Sequence, residues 1–323
     1  MVKEYIGTNV YCRRVFGGKV YKLALSAATT CPNRDGTVGS GGCIFCSAGG
    51  SGDFAAPASQ TVAQQLEDAK MRLGTKGEGL KYIAYFQSFT GTYGDLEQLK
   101  RLYTEVAEQP EVVGLSIATR PDCLGREALD MLGELAARKP LWVELGLQTI
   151  HEETANRINR CYPLPVYERA MEDLRTLGVH RITHVIFGLP GESKQDMLKT
   201  VAYVGQRTDG IKLQLLHVLE GTALADSYRR GEFETLAPEE YYELMADALK
   251  LLPQNVVIHR LTGDGPKKDL ISPLWSADKK RVLADLNRCL KSHGIAPALD
   301  PPAPRRFEGE RQKQSGKSGS FIV

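Results

Sequence analysis

Three cysteines lie within a sixteen-residue segment near the start of the chain, and their spacing indicates chemistry. Cys31, Cys43 and Cys46 form the pattern C-x11-C-x2-C within TTCPNRDGTVGSGGCIFC. The loop between the first two contains four glycines, which let a backbone wrap closely around a bound object. The segment follows a predicted strand at residues 20–25, which is the side where ligands gather in parallel α/β folds.

Three interpretations of this cysteine cluster are open. A structural zinc site takes four ligands, but the nearest histidine, His151, is distant in sequence. Three unrelated buried cysteines would need neither a glycine-rich loop nor a C-x2-C pair. Three thiolates on an iron–sulfur cluster leave one iron open to a substrate or cofactor, and this interpretation explains both the number of thiols and the loop.

Six apolar or β-branched runs alternate with helical stretches and supply the elements that would position the cysteines. The predicted strands cover residues 20–25, 82–86, 112–118, 141–147, 182–187 and 211–217. This alternation predicts parallel pairing with right-handed crossovers. The candidate folds are a doubly wound sheet and a full or partial barrel, and both place ligands at the carboxyl ends of the strands.

The alternating pattern ends beyond residue 219. A helix is predicted at about 238–252, a strand at 256–259 and a second helix near 276–290. We therefore divide the chain into an N-terminal segment (1–18), the alternating region (19–230), a small α/β extension (231–300) and a tail (301–323). The tail is rich in Pro, Gly, Ser and Lys, which predicts disorder and a basic character.

Composition restricts the class of protein. Of 323 residues, 42% are apolar and 25% are charged, and the formal net charge is +2, as in ordinary soluble domains. Seven cysteines in a long chain indicate a reducing compartment rather than a disulfide framework. The sequence has neither an apolar run long enough to cross a membrane nor a secretory signal, so a cytoplasmic location without membrane association is predicted.

Positive charge is concentrated at the C-terminal end. Residues 250–323 contain 14 Lys or Arg and 7 Asp or Glu, a balance of +7 that leaves −5 on the rest of the chain. A basic end can attract a polyanion such as RNA, although a solvated surface gives the same balance.

The cysteine motif resembles that of the radical S-adenosylmethionine (SAM) superfamily, with a longer first gap than the commonest C-x3-C-x2-C spacing. The longer gap resembles the catalytic subunit of Elongator and, more closely, the YhcC-like radical SAM proteins. The likeness continues through YFQSFTGTYG, SIATRPDCL, WVELGLQT, HVIFGLPGES, LLHVLEGTAL and IHRLTGDGP, in that order. It implies an α/β fold, a partial (β/α)6 TIM-like barrel with a small C-terminal extension.

The resemblance also implies the cofactors and the chemistry. Cys31, Cys43 and Cys46 would hold a 4Fe-4S cluster whose open iron is chelated by S-adenosyl-L-methionine. An electron from a donor such as flavodoxin or ferredoxin would then cleave SAM to a 5′-deoxyadenosyl radical that abstracts hydrogen from a substrate. The likeness to Elongator makes a tRNA nucleoside the first substrate hypothesis. The second is a small metabolite or protein, and the third is a non-catalytic cluster-bearing sensor.

The family's SAM-binding positions fall on two groups of residues after the predicted strands. Gln87, Ser88 and Thr90 follow the second strand and are expected to face the methionine ammonium. Glu144 and Gln148 flank the fourth strand and are expected to meet the ribose and methionine. The alternative for Glu144 is an ion pair with a neighbouring arginine, because a buried carboxylate without a partner is costly.

Three further positions are expected near SAM. Arg160 is expected to fork onto the SAM carboxylate, for which a planar guanidinium is suited, unless it is an ordinary surface arginine. His184 is expected beside the ribose, or else as a satisfied core histidine. The turn that begins at Gly188 is expected to bring backbone close to the adenine.

Four residues near the same edge have two possible roles each. Arg120 and Asp122 follow the third strand and either face the cofactor or form an ion pair that fixes the loop. Either one of Cys123 and Cys161 donates a hydrogen atom or holds a substrate thioester, or both are small apolar side chains. The sequence identifies no general base and no covalent nucleophile.

Overall fold

The structure is a computed structural model that describes residues 2–50, 52, 55–74, 79–263 and 265–299. Its strands are β1 (Lys3–Gly7), β2 (Val20–Leu25), β3 (Lys81–Phe86), β4 (Val112–Thr119), β5 (Leu141–Gln148), β6 (His180–Phe187), β7 (Gly210–Leu215), β8 (Val218–Leu219), β9 (Val257–Arg260), β10 (Leu270–Ser272) and β11 (Ile295–Pro297). Its helices are α1 (Thr8–Phe16), α2 (Val62–Leu73), α3 (Leu96–Glu108), α4 (Arg126–Arg138), α5 (Glu152–Arg157), α6 (Leu164–Thr176), α7 (Lys194–Gly205), α8 (Ala223–Arg229), α9 (Pro238–Leu251) and α10 (Lys279–Ser292). The disorder predicted for residues 301–323 concerns a segment outside the described residues.

Six parallel strands, β2 to β7, form the centre of the fold in consecutive order. Helices α2 to α7 lie between successive strands, and the apolar faces of α2, α3, α4, α6 and α7 pack against the outer face of the sheet in one large core. The observed strand ends lie within two residues of the predicted ends. The predicted partial (β/α)6 TIM-like barrel is confirmed.

Both ends of the chain extend this sheet beyond the six central strands. β9 pairs in parallel with β7, and β1 lies between β9 and β11. The sequence analysis predicted no element within residues 1–18, where β1 and α1 now lie. The C-terminal extension therefore shares one sheet with the barrel, and β9 brings its side chains to the barrel interior.

Helix α1 closes the amino-terminal end of the barrel. Tyr11 and Cys12 on this helix are buried against Trp142 and Ile182, which lie near the starts of β5 and β6. The Tyr11 ring lies 5.8 Å from the Trp142 ring in an edge-on contact. Because this end is filled by apolar and aromatic side chains, the opposite, carboxyl end is the one left for a ligand.

The length and apolarity of the described helices bear on membrane insertion. None of them is both long enough and apolar enough to cross a bilayer.

Candidate active site

The cysteine-rich loop leaves the carboxyl end of β2 and borders a cavity at the open end of the barrel. Cys31, Cys43 and Cys46 all line this cavity, are half-buried and are in the thiol form rather than in disulfide bonds. Within the described chain, their sulfur atoms do not form a set within 4.8 Å of one another, as the ligands of a single metal ion would. At least one of their three separations therefore exceeds 4.8 Å.

Two asparagines and an arginine hold the loop in shape. Asn33 is fully buried and its Nδ2 donates to the carbonyl of Asn159 at 2.6 Å, while Asn159 Nδ2 donates to the carbonyl of Gly42 at 2.8 Å. Arg34 donates to the carbonyl of Cys46 at 3.0 Å. A side chain at Gly39 would place a Cβ 2.3 Å from Asn33 Oδ1, so this close approach requires glycine. The loop conformation is therefore fixed by the protein's own hydrogen bonds.

The protonation state of Cys43 links the loop to the binding of a cationic group. Burial, followed by the proximity of Cys46 and Cys31, raises the pKa of the Cys43 thiol to about 12. Thiolates bind metal only after losing their protons, so binding a cation here is coupled to deprotonation. Three thiols around one space, without a fourth protein ligand among the described residues of the loop, fit an iron–sulfur cluster that keeps one iron open.

Most of the residues expected around SAM meet in the same cavity. Besides the three cysteines, its wall contains Gln87, Thr90, Glu144, Gln148, Arg160 and His184. Two expected residues, Ser88 and Gly188, are not among the described residues of the wall. The Ser88 carbonyl accepts a hydrogen bond from Thr29 Oγ1 at 3.3 Å. The Gly188 N–H is directed at Met197 Sδ at 3.1 Å.

Thr90 provides a test of whether the cavity fits a polar ligand. Its Oγ1 is buried in the cavity wall and has no hydrogen-bond partner among the described residues. A buried hydroxyl without a partner costs about 1–3 kcal/mol. A ligand ammonium that donated to Oγ1 would remove this cost. The methionine ammonium expected from the sequence has the required chemistry, so the residues present fit SAM.

A layer of polar side chains crosses the barrel interior at the base of the cavity. The fully buried Glu144 carboxylate accepts hydrogen bonds from Ser116 Oγ at 2.6 Å and from the Tyr85 hydroxyl at 3.3 Å. It also accepts from His184 Nε2 at 2.6 Å and contacts Lys212 Nζ. The parallel register that pairs His184 with Lys212 places both residues on the interior face. Glu144 is therefore the centre of a network from four strands.

The charges in this polar layer are fixed by burial and by neighbouring cations. Burial opposes ionisation of Glu144, but Lys212, Lys22 and His184 hold the pKa of its carboxyl well below the usual range. Burial, followed by the positive charge of Lys212, lowers the pKa of His184 to about 4. His184 is consequently neutral at pH 7, with its Nε2–H directed at Glu144. The partner cations of Glu144 are lysines rather than the arginine that the sequence analysis considered.

Arg160 is buried, and its guanidinium donates hydrogen bonds mainly to backbone carbonyls near the end of β5. Its guanidinium donates to the carbonyls of Tyr162 at 3.0 Å and Thr149 at 2.6 Å. It also donates to the Leu147 carbonyl at 3.2 Å and reaches Glu152 at 3.5 Å. Four of the five guanidinium N–H groups are thereby used within the described chain. A forked contact with the SAM carboxylate would require Arg160 to release one of these bonds.

Gln148 ends β5 in a strained conformation next to the cavity. Its φ of 67° lies in the left-handed region, which costs energy for residues other than glycine. The strain coincides with a shift in the pairing of β5 and β6 between Gly146 and Gln148. Strain of this kind is concentrated at functional sites, and the placement of Gln148 beside SAM stays a prediction.

The residues after β4 form the ion pair that was one of the two expectations. Arg120 donates to both carboxylate oxygens of Asp122, at 2.9 and 2.7 Å, and to the Arg160 carbonyl at 3.0 Å. Arg120 also lines the cavity. Cys123 and Cys161 are half-buried free thiols and do not belong to the described cavity wall. Burial, followed by Asp122, raises the pKa of Cys123 to about 12, which keeps that thiol protonated.

The cavity wall also contains polar residues that were not singled out from the sequence. Among them are Arg34, Gln214, His217 and Arg260. Arg260 on β9 donates to Gln214 Oε1 on β7 at 3.3 Å, which joins the extension to the barrel beside the cavity. His217 and Arg260 belong to the segments LLHVLEGTAL and IHRLTGDGP, so a signal was present in the sequence. Their convergence depends on the pairing of β7 with β9, which the sequence did not reveal.

Comparison with known proteins shows similarity over nearly the whole chain. Residues 30–204 match the radical SAM superfamily, and residues 208–292 match the radical SAM C-terminal domain. The chain is 45% identical over 293 residues to the uncharacterised protein YtqA of Bacillus subtilis, covering 90% of this chain and 91% of that protein. It is 35% identical over 284 residues to protein YhcC of Escherichia coli, covering 87% and 91% respectively.

Weaker similarity extends to two larger proteins. The chain is 29% identical over 205 residues to the tRNA uridine(34) acetyltransferase of Methanocaldococcus jannaschii, covering 62% of this chain and 36% of that protein. The solved structure of the archaeal Methanocaldococcus infernus Elp3 superimposes with a TM-score of 0.61 at 19% identity, covering 83% of this chain and 63% of that one. At this identity the superposition shows the fold alone.

The three thiols on the loop after β2 and the polar wall at the carboxyl ends of the strands agree with the family match. That match, residues 30–204, covers more than half of the chain. The protein therefore belongs to the radical SAM superfamily and is a radical SAM enzyme.

Proposed function

We propose that this radical SAM enzyme modifies a tRNA nucleoside. The observation that carries the substrate assignment is the similarity to a tRNA uridine(34) acetyltransferase over 62% of the chain. This chain spans only about a third of that protein, so the proposal concerns the substrate and not the acetyl transfer. The positive C-terminal end, with a balance of +7, supports a polyanionic substrate.

Cys31, Cys43 and Cys46 hold the 4Fe-4S cluster in this proposal, and the adjoining cavity holds SAM. When bound together, the cluster and SAM would supply radical chemistry that abstracts a hydrogen atom from the substrate, with an electron from an external donor such as flavodoxin or ferredoxin. Asn33, Asn159 and Arg34 keep the cysteine loop in the shape that receives the cluster.

Different side chains of the cavity wall bind the ammonium, the ribose and the carboxylate of SAM in this proposal. Thr90 Oγ1 and the side-chain oxygen of Gln87 accept hydrogen bonds from the methionine ammonium. His184 donates its Nε2–H to Glu144, so its Nδ1 is left as an acceptor for a ribose hydroxyl. Gln148 contacts the ribose and methionine, and the remaining N–H of Arg160 reaches the carboxylate.

The adenine lies against the carboxyl ends of β6 and β7 in this proposal. Ile186 and Leu216 line the cavity there and offer apolar surfaces for a planar base. Gly188 sets the turn behind them, where its φ of 87° favours glycine. This assignment replaces a direct backbone contact from Gly188, whose N–H is used by Met197.

The surface of α10 provides cations for the RNA backbone. Five basic side chains on this helix are exposed: Lys279, Lys280, Arg281, Arg288 and Lys291. Arg281 and Arg288 approach the same carboxylate, Asp285, at 3.7 and 3.0 Å, so positive charge remains in excess along the helix. Such a row attracts phosphates without reading sequence, and its contribution weakens with salt.

The proposal is tested with cluster-reconstituted protein under anaerobic conditions. The protein is reduced with dithionite in the presence of SAM, with and without bulk tRNA from a strain that lacks the gene, and 5′-deoxyadenosine is quantified. We expect tRNA to stimulate product formation and the Cys46→Ala variant to form none. The nucleosides of tRNA from the deletion strain should lack one modified species. An unchanged nucleoside profile and no stimulation by tRNA would assign the enzyme to a small metabolite or a protein substrate.

A further inference from the structure

A second group of metal-ligating side chains joins helices α9 and α10, away from the cavity. Glu243 on α9 faces Cys289 on α10 and His293, which follows the last residue of that helix. One ligand atom from each of the three lies within 4.8 Å of the other two. Cys289 and His293 are half-buried, and their spacing of four residues places both on one face of α10.

The distances in this group match the edges of a tetrahedral metal site. Glu243 Oε1 lies 3.6 Å from Cys289 Sγ and 3.1 Å from His293 Nε2. Zinc bonds of about 2.3 Å to sulfur and about 2.0–2.1 Å to nitrogen or oxygen correspond to tetrahedral edges of about 3.3–3.6 Å. Two of the three donor separations are therefore close to those that a zinc ion requires, and the third, between Cys289 and His293, is at most 4.8 Å.

The donor types also match zinc rather than a hard cation. Sulfur, imidazole nitrogen and carboxylate oxygen are the three ligand types that proteins use for Zn²⁺, whereas Ca²⁺ and Mg²⁺ take oxygen. A thiolate and a carboxylate together carry two negative charges, which balance the ion. Three protein ligands leave the fourth position to water.

A neighbouring lysine determines which nitrogen of the His293 imidazole carries the proton in the absence of metal. Lys250 Nζ donates to His293 Nδ1 at 3.2 Å, which leaves the ring proton on Nε2, directed at Glu243. Metal binding at Nε2 displaces this proton and makes Nδ1 a donor, so Lys250 must turn away. Lys250 already contacts Asp247 Oδ1 at 3.3 Å, and this carboxylate can retain the ammonium.

We propose that Glu243, Cys289 and His293 bind one Zn²⁺ ion that fastens α10 to α9. The donors of this site include neither the three cysteines of the loop after β2 nor the five basic residues of α10 proposed to contact RNA. It acts within the part of the chain that matches the radical SAM C-terminal domain, residues 208–292, and at the residue that follows it.

Zinc K-edge absorption on the cluster-reconstituted enzyme tests the assignment, because this edge reports zinc and not iron. The protein is incubated with zinc chloride, desalted and analysed for zinc and iron. We expect one zinc per chain, with one sulfur neighbour at about 2.3 Å and two or three nitrogen or oxygen neighbours at about 2.0–2.1 Å. A spectrum with three sulfur neighbours would place zinc in the cysteine loop instead, and retention of no zinc would overturn the proposal.

Surface variants assign the bound zinc to its ligands. Cys289→Ala, His293→Ala and Glu243→Gln should each weaken zinc binding at least tenfold while the iron content stays at the wild-type value. His151→Ala, a change at another half-buried histidine, should retain zinc. Lys250→Met should retain or strengthen zinc binding, because it removes the ammonium that competes at His293 Nδ1. Equal zinc retention by the Cys289, His293 and His151 variants would show that the three side chains do not form a site.

Discussion

Lys212 on β7 and Glu144 on β5 form a buried ion pair in the barrel interior, although β6 separates their strands. β6 itself contributes His184 to the same carboxylate. A buried carboxylate is stable only when a cation and hydrogen-bond donors surround it. The pair and its donors thus form a fixed base for the cavity in which the cysteine thiols and the expected SAM contacts meet.

Replacement of Lys212 by methionine is expected to destabilise the fold severely, because it leaves Glu144 charged, buried and without its main cation. Removal of one partner of a buried ion pair costs about 3–5 kcal/mol of unfolding free energy. Urea denaturation of the Lys212→Met variant measures this loss. Lys22→Met is the matched control: Lys22 approaches the same carboxylate at 3.3 Å from a side chain that is 28% exposed, so its loss should cost less.

The double variant Lys212→Met/Glu144→Gln separates charge from packing. Since it removes both buried charges, it should recover much of the stability that the single lysine variant loses. An equal loss of stability in Lys212→Met and Lys22→Met, with no recovery in the double variant, would contradict an ion pair at the centre of the polar layer.

His184 should make stability depend on pH. Its pKa is about 4 in the folded protein and 6.5 in the unfolded reference, so the unfolded state binds more protons between these values. The free energy of unfolding therefore rises with pH across this window and falls on acidification, by at most about 1.4 kcal/mol per pH unit. Urea denaturation at stepped pH values between 4 and 7 should show a shallower slope for His184→Asn. An unchanged slope would assign the acid sensitivity to other groups.

The fold was predictable because the relevant signals are local. The strand from Val20 to Leu25 is a short apolar run, and the glycine-rich segment between Cys31 and Cys43 follows it directly in the sequence. Alternation of such runs with helical stretches fixes parallel pairing by chain geometry alone. The thiols therefore had to lie at the carboxyl edge of the sheet, where the structure places them.

The partners in the site were not predictable, because they depend on register and on strands distant in sequence. Lys212 is a single lysine in an apolar strand, and nothing near it in the sequence indicates that Glu144 lies opposite. Arg260 enters the cavity only because β9 lies beside β7. The sequence also indicated that Arg160 binds a carboxylate, but it could not show that backbone carbonyls already occupy most of its donors.

The Thr90 hydroxyl should lower the stability of the unliganded protein and raise its affinity for SAM. Thr90→Val removes a buried hydroxyl that has no partner among the described residues, so the unliganded protein should be equally stable or more stable. The same change should weaken SAM binding about tenfold, the equivalent of about 1.4 kcal/mol for the removal of one hydrogen bond to a charged group. Equilibrium dialysis with labelled SAM measures the affinity. Thr90→Ser keeps the hydroxyl and should bind nearly as wild type; equal binding by both variants would exclude a contact with SAM.

Asn159 should control how well the cysteine loop retains its cluster. Its Nδ2 donates to the carbonyls of Gly42 and Ser40 at 2.8 and 3.2 Å. Its φ of 56° lies in the left-handed region, which glycine adopts readily. Asn159→Gly therefore removes these two bonds, and the one that Asn159 Oδ1 accepts from Cys161 Sγ at 3.1 Å, while it keeps the backbone conformation. We expect faster loss of iron during anaerobic dialysis against a chelator, measured by iron analysis. The control is Lys199→Ala on α7, away from the cysteine loop. Alanine is used here because glycine would destabilise the helix. This variant should lose iron at the wild-type rate.

The basic face of α10 should govern the affinity for tRNA. Lys280→Glu/Lys291→Glu reverses two exposed charges on this helix and should weaken tRNA binding at low salt at least tenfold, because each lysine that pairs with a phosphate releases counterions from the RNA. The slope of log affinity against log salt should fall in magnitude by about 1 for each phosphate that is no longer neutralised. Filter binding at several salt concentrations gives both quantities.

The control variant Lys194→Glu/Lys199→Glu changes the net charge of the protein by the same amount, but on α7. Equal weakening of tRNA binding by the two double variants would show that overall charge, rather than α10, attracts the RNA.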